Sequence, residues 1–234
     1  MKTYAFIFAR GGSKGLPGKN IKMFAGKPML AHSIEMAMNI DEIERVFVST
    51  DNSEIADTAL RWGAEVINRP SDLAQDNSPE WLAWQHAVKY VNTEYGIFDK
   101  FISLPVTAPL RAKEDVENCL SALREGVDMI VTVTESGRNP FFNMVRIDES
   151  DAVHLFSQGS KRITRRQDAP KAYDMTTVAY VTRPEFIIKS CGVFDGVVHA
   201  VIIPQERAID IDTPVDFTIA ACLSKKALEH EEHS

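Results

Sequence analysis

Hydrophobic and polar positions alternate along this chain with two periods, and the period switches at short intervals. Tyr4-Ala5-Phe6-Ile7-Phe8 is an unbroken apolar run of strand length. From Pro28 to about Asn39, Met29, Ile34, Met36 and Met38 give a mixed apolar helical face, and Pro28 suits a helix start. Arg45-Val46-Phe47-Val48-Ser49-Thr50 predicts a second strand. Asp51 and Ser53 then offer caps to a helix reaching Trp62, which Gly63 would stop. Glu65-Val66-Ile67 predicts a short third strand. Ser78 and Pro79 open a helix in which Trp81, Trp84, Val88 and Val91 recur at helical spacing, so both indoles are expected in the core. Lys100–Leu104 predicts a fourth strand, Glu114–Leu123 a helix and Met129–Thr134 a fifth strand. Such a β-α repetition with short links implies a mostly parallel sheet covered by helices on both faces.

The rhythm breaks after Thr134. Phe141–Ile147 and Val153–Phe156 predict two short strands joined by the turn Asp148-Glu149-Ser150-Asp151. Residues 135–175 therefore read as a β-rich insertion within a single domain spanning 1–234. Val178–Thr182 and Val198–Ile203 return to the sheet, and a last helix starts near Thr213-Pro214 and runs to about Lys226. Glu229–Ser234 reads as a fraying polar tail.

Charge changes this picture at one end. Lys2, Arg10, Lys14, Lys19, Lys22 and Lys27 all precede the first acidic residue, Glu35, in a chain of net charge -7. That overall charge argues against nucleic acid as a partner, and the local basic patch points to a small anion. No apolar run is long enough to span a bilayer, and no signal peptide is evident. Three scattered cysteines, Cys119, Cys191 and Cys222, fit reduced, buried thiols in the cytoplasm.

Most of the basic residues sit in Ala9-Arg10-Gly11-Gly12-Ser13-Lys14-Gly15-Leu16-Pro17-Gly18-Lys19-Asn20, directly after the first apolar run. A strand opening into a glycine- and cation-rich loop is how α/β proteins hold a polyphosphate. Glycines let backbone N–H groups approach the anion, and Arg and Lys neutralise it. The loop is neither the G-x-G-x-x-G dinucleotide fingerprint nor a Walker A motif, since Lys19 is followed by Asn20. Two carboxylates, Asp210 and Asp212, stand two residues apart, so in an extended segment both face one way and can share a Mg²⁺. Thr213-Pro214-Val215-Asp216 has capping-box spacing, which assigns Asp216 to the helix start.

These segments together resemble the CMP-sialic acid synthetases, the acylneuraminate cytidylyltransferases. Ala9-Arg10-x-x-Ser13-Lys14-Gly15-Leu16-x-x-Lys19-Asn20 looks like the family's signature. Val48-Ser49-Thr50-Asp51 matches its VSTD, and Arg69-Pro70-Ser71-Asp72-Leu73-Ala74-Gln75-Asp76 resembles its RPxxLAxD. Thr107-Ala108-Pro109-Leu110-Arg111 is similar to its TSPLR, and Ile209-Asp210-Ile211-Asp212-Thr213 matches its IDIDT. The resemblance implies a Rossmann-like nucleotidyltransferase, homodimeric through a β-rich insertion, that makes a CMP-sugar from CTP and a sugar acid.

On that reading Arg10 and Lys19, assisted by Lys14, neutralise the leaving pyrophosphate, and Asp210 and Asp212 hold Mg²⁺. Ala9, Gly11, Gly12, Ser13, Asn20 and Arg69 hold the nucleotide. Thr107, Arg111, Arg165, Arg166 and Asp174 are expected at the sugar, the two arginines belonging to a second basic cluster with Lys161 and Arg162. The acceptor half departs from the family. Pro105 stands where the family carries a sugar-binding Gln. Asp174 stands where it carries the Arg that binds the sugar's carboxylate, which reverses the sign of the contact. Either another cation, Arg165, Arg166 or Lys171, takes over the carboxylate of a sialic acid or other nonulosonate, or the acceptor is not an ordinary sialic acid but a different 2-keto-3-deoxy sugar acid. A non-catalytic nucleotide-binding regulator is the alternative.

Overall fold

The computed structural model describes residues 1–12, 14–158 and 163–231. The N-terminal apolar run becomes β1 (Thr3–Phe8). After the Gly-rich loop a small hairpin, β2 (Met23–Phe24) with β3 (Lys27–Pro28), turns at Ala25 and Gly26, both at positive φ. Helix α1 (Met29–Met38) leads to β4 (Ile43–Thr50), and α2 (Ser53–Arg61) to β5 (Glu65–Asn68). Next come α3 (Glu80–Glu94), β6 (Lys100–Ser103), α4 (Lys113–Ala122) and β7 (Met129–Glu135). The hairpin β8 (Val145–Ile147) and β9 (Val153–Leu155) precedes β10 (Tyr173–Thr182), α5 (Pro184–Lys189), β11 (Val198–Ile202) and α6 (Pro214–Glu231).

Seven strands form one sheet in the order β11-β7-β10-β6-β1-β4-β5. Strand β1 lies inside it, parallel to both β4 and β6. Its side chains divide between the two faces, as the pleat requires. Ala5 and Ile7 join the core beneath α1 and α4, with Val48, Ile102 and Val181. Tyr4 and Phe6 join the core beneath α3, where Phe6 stacks on Phe101 at 4.5 Å and on Phe47 at 5.4 Å. Fully burying one such ring is worth about 1.5–3 kcal/mol. Trp81 and Trp84 are buried in this second core, as their spacing predicts.

Several details differ from the sequence expectations. The sheet is mostly parallel, as expected, but β10 runs antiparallel to both of its neighbours, β6 and β7. Its register shifts between Thr176 and Tyr180, where the Thr132 hydroxyl bonds to Thr176 and Ala179. A shift of this kind re-aims side chains, and here it falls at Thr177. The first strand of the hairpin begins at Val145 and not at Phe141, because the Asn139 carbonyl gathers the amides of Phe142, Asn143 and Met144 into a turn. Helix α6 continues past Lys226 to Glu231. Cys119 is buried, which pushes its thiol up to about 12, but Cys191 and Cys222 are exposed. No helix among the described residues is long and apolar enough to cross a membrane.

Candidate active site

The Gly-rich loop leaves the sheet at the carboxyl end of β1. Ala9 N–H donates to the Ser49 carbonyl at 3.0 Å, carrying the strand pairing one step beyond β1. Gly11 N–H then donates to Asp51 Oδ1 at 3.0 Å. Asp51 therefore ties the loop and does not cap α2. The cap is Asn52, whose Oδ1 accepts from Ile55 N–H at 3.0 Å. Gly18, at φ +66°, turns the chain into a short 3-10 helix at Lys19–Ile21. This buries Asn20, whose Nδ2 donates to the Arg10 carbonyl at 2.9 Å.

The loop's cations are all met by carboxylates. Arg10 Nη1 lies 2.8 Å from Asp76 Oδ1, and Lys14 Nζ lies 2.5 Å from Asp76 Oδ2. These contacts pull the Asp76 carboxyl below its usual range, Lys14 contributing most. Lys19 Nζ lies 2.7 Å from Asp212 Oδ1. The loop and the segment before α6 also touch through backbone, since an added Cβ at Gly15 would overlap the Asp212 carbonyl.

Between these pieces lies an open cavity of about 380 Å³. Of the residues expected at the site, Arg10, Lys19, Asn20, Arg69, Thr107, Asp210 and Asp212 line it. Arg69 is buried over the Phe8 ring, with its guanidinium donating to Ser49 Oγ at 3.1 Å and to the Ser49 carbonyl at 2.6 Å. Burial lowers its pKa, offset in part by Glu80 and Asp51. Asp210 is the most enclosed carboxylate of the IDIDT segment. Its Oδ1 is buried with no hydrogen-bond partner among the described residues, and burial raises its pKa. Asp212 is freed from capping because Thr213 and Asp216 cap α6 reciprocally. Asp216 Oδ2 accepts from Thr213 N–H at 2.8 Å, and Asp216 N–H donates to Thr213 Oγ1 at 3.3 Å.

The orphan oxygen of Asp210 and the neighbouring Asp212 form a hard oxygen donor set that fits a divalent cation such as Mg²⁺. Among the described residues no group of three or more His, Cys, Asp or Glu side chains could hold a metal. An ion held by this pair would need further ligands from substrate or water.

The remaining expected residues lie elsewhere. Arg111 is buried and does not line the cavity: its guanidinium donates to Ser33 Oγ at 2.8 Å and to the Pro105 carbonyl, and burial pulls its pKa down to about 9. It props the Pro105–Thr107 wall from behind. Arg165 is held by Asp168 through bonds of 2.8 and 3.1 Å, and Arg166 reaches the Gly137 carbonyl at 3.3 Å. Asp174 is exposed on β10, opposite Thr134. None of these three lines the cavity of its own chain. Ala9, Gly12 and Lys14 are not among its lining residues, Gly11 faces a smaller pocket against α2, and Ser13, Lys161 and Arg162 lie outside the described residues. The cavity adds Gln75, Ser78, Glu80, Thr177 and Tyr180 to the residues expected. The RPxxLAxD segment carries the only sequence signal for the first of these, through its position between a strand and a helix.

Residues 4–195 match the family model described as cytidylyltransferase. The chain belongs to the cytidylyltransferase family. Among its relatives, the post-translational flagellin modification protein B of Campylobacter coli is 32% identical over 226 residues, with 94% of both chains covered. Pseudaminic acid cytidylyltransferase of Campylobacter jejuni is 29% identical over 232 residues, with 99% of both covered. CMP-N,N'-diacetyllegionaminic acid synthase of Campylobacter jejuni is 32% identical over 220 residues, covering 93% of this chain and 92% of that one. In fold, this cytidylyltransferase is similar to a CMP:2-keto-3-deoxy-manno-octonic acid synthetase solved with CTP. The TM-score is 0.70 at 18% identity, with 97% of this chain and 100% of that one covered. As a cytidylyltransferase the chain is a nucleotidyltransferase.

Proposed function

We propose that this chain transfers the cytidylyl group of CTP to a nonulosonic sugar acid, releasing pyrophosphate. The observation that carries the reading is the single cavity lined by Arg10 and Lys19 from the loop, Arg69 after β5 and the Asp210–Asp212 pair before α6. Names of relatives matched over nearly their whole length supply the acceptor class, pseudaminic and legionaminic acids, and an N-acylneuraminate cytidylyltransferase of which this chain spans 52% adds the third.

The chemistry follows from charge and position. An acceptor hydroxyl attacks the α-phosphorus, a new O–P bond forms, and the bond to the β-phosphate breaks. Negative charge grows on the departing pyrophosphate, where Arg10 and Lys19 neutralise it with help from Lys14. Arg69, Asn20 and the backbone near Ala9 hold the cytidine, and the glycines of the loop belong with its cations at the triphosphate. Asp210 and Asp212 would hold Mg²⁺, which supplies charge neutralisation at the phosphates when bound. With the reactants so oriented, much of the barrier is removed by positioning alone.

The acceptor side needs a second chain. Arg165, Arg166 and Asp174 sit outside their own cavity. Beside them Val145, Ile147, Val153, Phe156, Tyr173 and Met175 are exposed apolar side chains. We therefore read the protein as a homodimer in which segment 135–175 covers the partner's cavity and brings Arg165 and Arg166 to the sugar's carboxylate. Three free cysteines suit a reducing compartment, the cytoplasm.

A pyrophosphate-release screen of four nucleoside triphosphates against acidic and neutral sugars tests the reading. Release is expected with CTP and a nonulosonate, dependent on added Mg²⁺. Equal turnover of all four triphosphates, or release with neutral sugars only, would overturn it.

A further inference from the structure

Arg111 is buried, yet it pairs with no carboxylate among the described residues. Asp115, whose charge reaches it, is already taken by Arg207 at 2.9 Å and by the Ala112 N–H at 2.9 Å. The Arg111 Nε also has no hydrogen-bond partner among the described residues. A buried cation left unpaired is costly to the fold, so its presence calls for a use.

Its two Nη groups join three elements. One donates to Ser33 Oγ of α1 at 2.8 Å. The other donates to the Pro105 carbonyl just beyond β6 and reaches the Thr177 carbonyl at 3.5 Å, where β10 shifts register. The Pro105–Thr107 wall is thus clasped from behind, and its far end holds the aspartate segment. The Thr107 carbonyl accepts from the Ile211 N–H at 2.8 Å, and Ile211 stands between Asp210 and Asp212. Ile211 joins the core, and the carboxylates on either side of it line the cavity. The Thr107 hydroxyl meets the Thr177 hydroxyl at 3.2 Å, which ties the wall to β10 a second time.

We propose that Arg111 is a positioning residue for the reaction: its fork sets the place of the Asp210–Asp212 segment through Pro105–Thr107. This rests on the cytidylyl-transfer reading, in which that pair holds the divalent ion. Arg111 does not line the cavity, so it acts only through the wall it clasps. A planar guanidinium suits the task because its donors are rigidly spaced, and a Lys ammonium cannot match that fork. A small misplacement of reacting groups is costly even when its origin lies away from the chemistry.

Arg111→Met tests the assignment. Met keeps an apolar stem and removes the buried charge, and Ser33 Oγ still donates to the Pro105 carbonyl at 3.1 Å. The melting temperature should therefore hold or rise. Amide exchange at Ile211, read by NMR, should speed up several-fold relative to the amides of β1. The Mg²⁺ concentration for half-maximal rate should rise several-fold, and kcat should fall. Arg111→Lys restores the charge without the fork and should show the same defects; it carries the same readouts if Arg111→Met does not fold. Unchanged Ile211 exchange, or an unchanged Mg²⁺ requirement, in a folded variant overturns the inference and leaves the cytidylyl-transfer reading standing. So does exchange that speeds up equally across the sheet with a lowered melting temperature, since Arg111 would then serve stability alone. Full recovery in Arg111→Lys would assign the effect to charge and overturns the inference as well. A wild type inactive with CTP and every nonulosonate overturns the reading and any catalytic role of Arg111 with it, while Ile211 exchange still decides whether Arg111 holds the segment.

Discussion

Gly15 packs against the backbone carbonyl of Asp212, with no room for a side chain between them. The contact joins the anion loop to the segment that carries both candidate metal ligands. Gly15→Ala must push one of them away, at a cost of about 1–3 kcal/mol for overpacking. We expect a several-fold rise in the KM of CTP. Gly12, which meets no atom within 4 Å among the described residues, serves as the control. Gly12→Ala should leave stability unchanged. Calorimetric melting and initial rates of both variants check this; an unaffected Gly15→Ala protein would show that the contact carries no function.

Lys19 is the most enclosed cation of the Gly-rich loop, with a side chain 12% exposed. Lys19→Ala should keep the fold and lose turnover, by about 2–4 kcal/mol of transition-state stabilisation. Circular dichroism and single-turnover kinetics separate the two effects. Wild-type rates from a folded variant would remove Lys19 from the mechanism.

The carboxylates before α6 should divide by role. Asp210→Asn and Asp212→Asn should weaken the Mg²⁺ dependence of turnover and leave α6 intact, since an amide keeps an oxygen but loses the charge. Asp216→Ala should instead cost about 0.5–2 kcal/mol of stability through the lost cap. Its pKa is lowered by the Thr213 hydroxyl and amide. A depressed folded pKa gives stability that is present above the unfolded value of 3.8 and lost as pH falls through the folded one. Thermal melts from pH 5 down to pH 2 should therefore converge for wild type and Asp216→Ala. A metal requirement altered by Asp216→Ala alone would reverse the assignment.

If the acceptor is held from a neighbouring chain, Ile147→Glu should yield a monomer by light scattering and abolish sugar turnover. Arg165→Ala or Arg166→Ala should raise the KM of the sugar acid several-fold and leave that of CTP unchanged. Activity that persists in a monomeric Ile147→Glu protein would place the whole acceptor site within one chain.

The alternating part of the fold was legible because burial leaves a periodic trace. Trp81 and Trp84 sit where helical spacing puts them, and the Gly-rich loop opens from the end of β1. What sequence could not decide were choices among chemically equal candidates. Asp51, Asn52 and Ser53 all suit an N-cap, and only the path of the loop gives the cap to Asn52. A strand's apolar pattern reads the same in both directions, so the reversed course of β10 left no mark. Arg111 looked like a ligand-binding cation, yet its partner Ser33 lies 78 residues away and turns it into a buried prop. Gln75, Ser78 and Glu80 enter the cavity only because their segment folds over the strand ends.

The Lys19–Asp212 pair closes a span of 193 residues. A ribosome adding about 5–20 residues per second needs roughly 10–40 s to make that span. The Gly-rich loop thus emerges long before the carboxylates that meet it, and the strands that pair with β1, β4 and β6, are made in between. A nascent chain can hold most of its sheet and still have no catalytic centre. On the proposed reading, chemistry would wait until the last strand has passed and Asp210–Asp212 returns to the first loop.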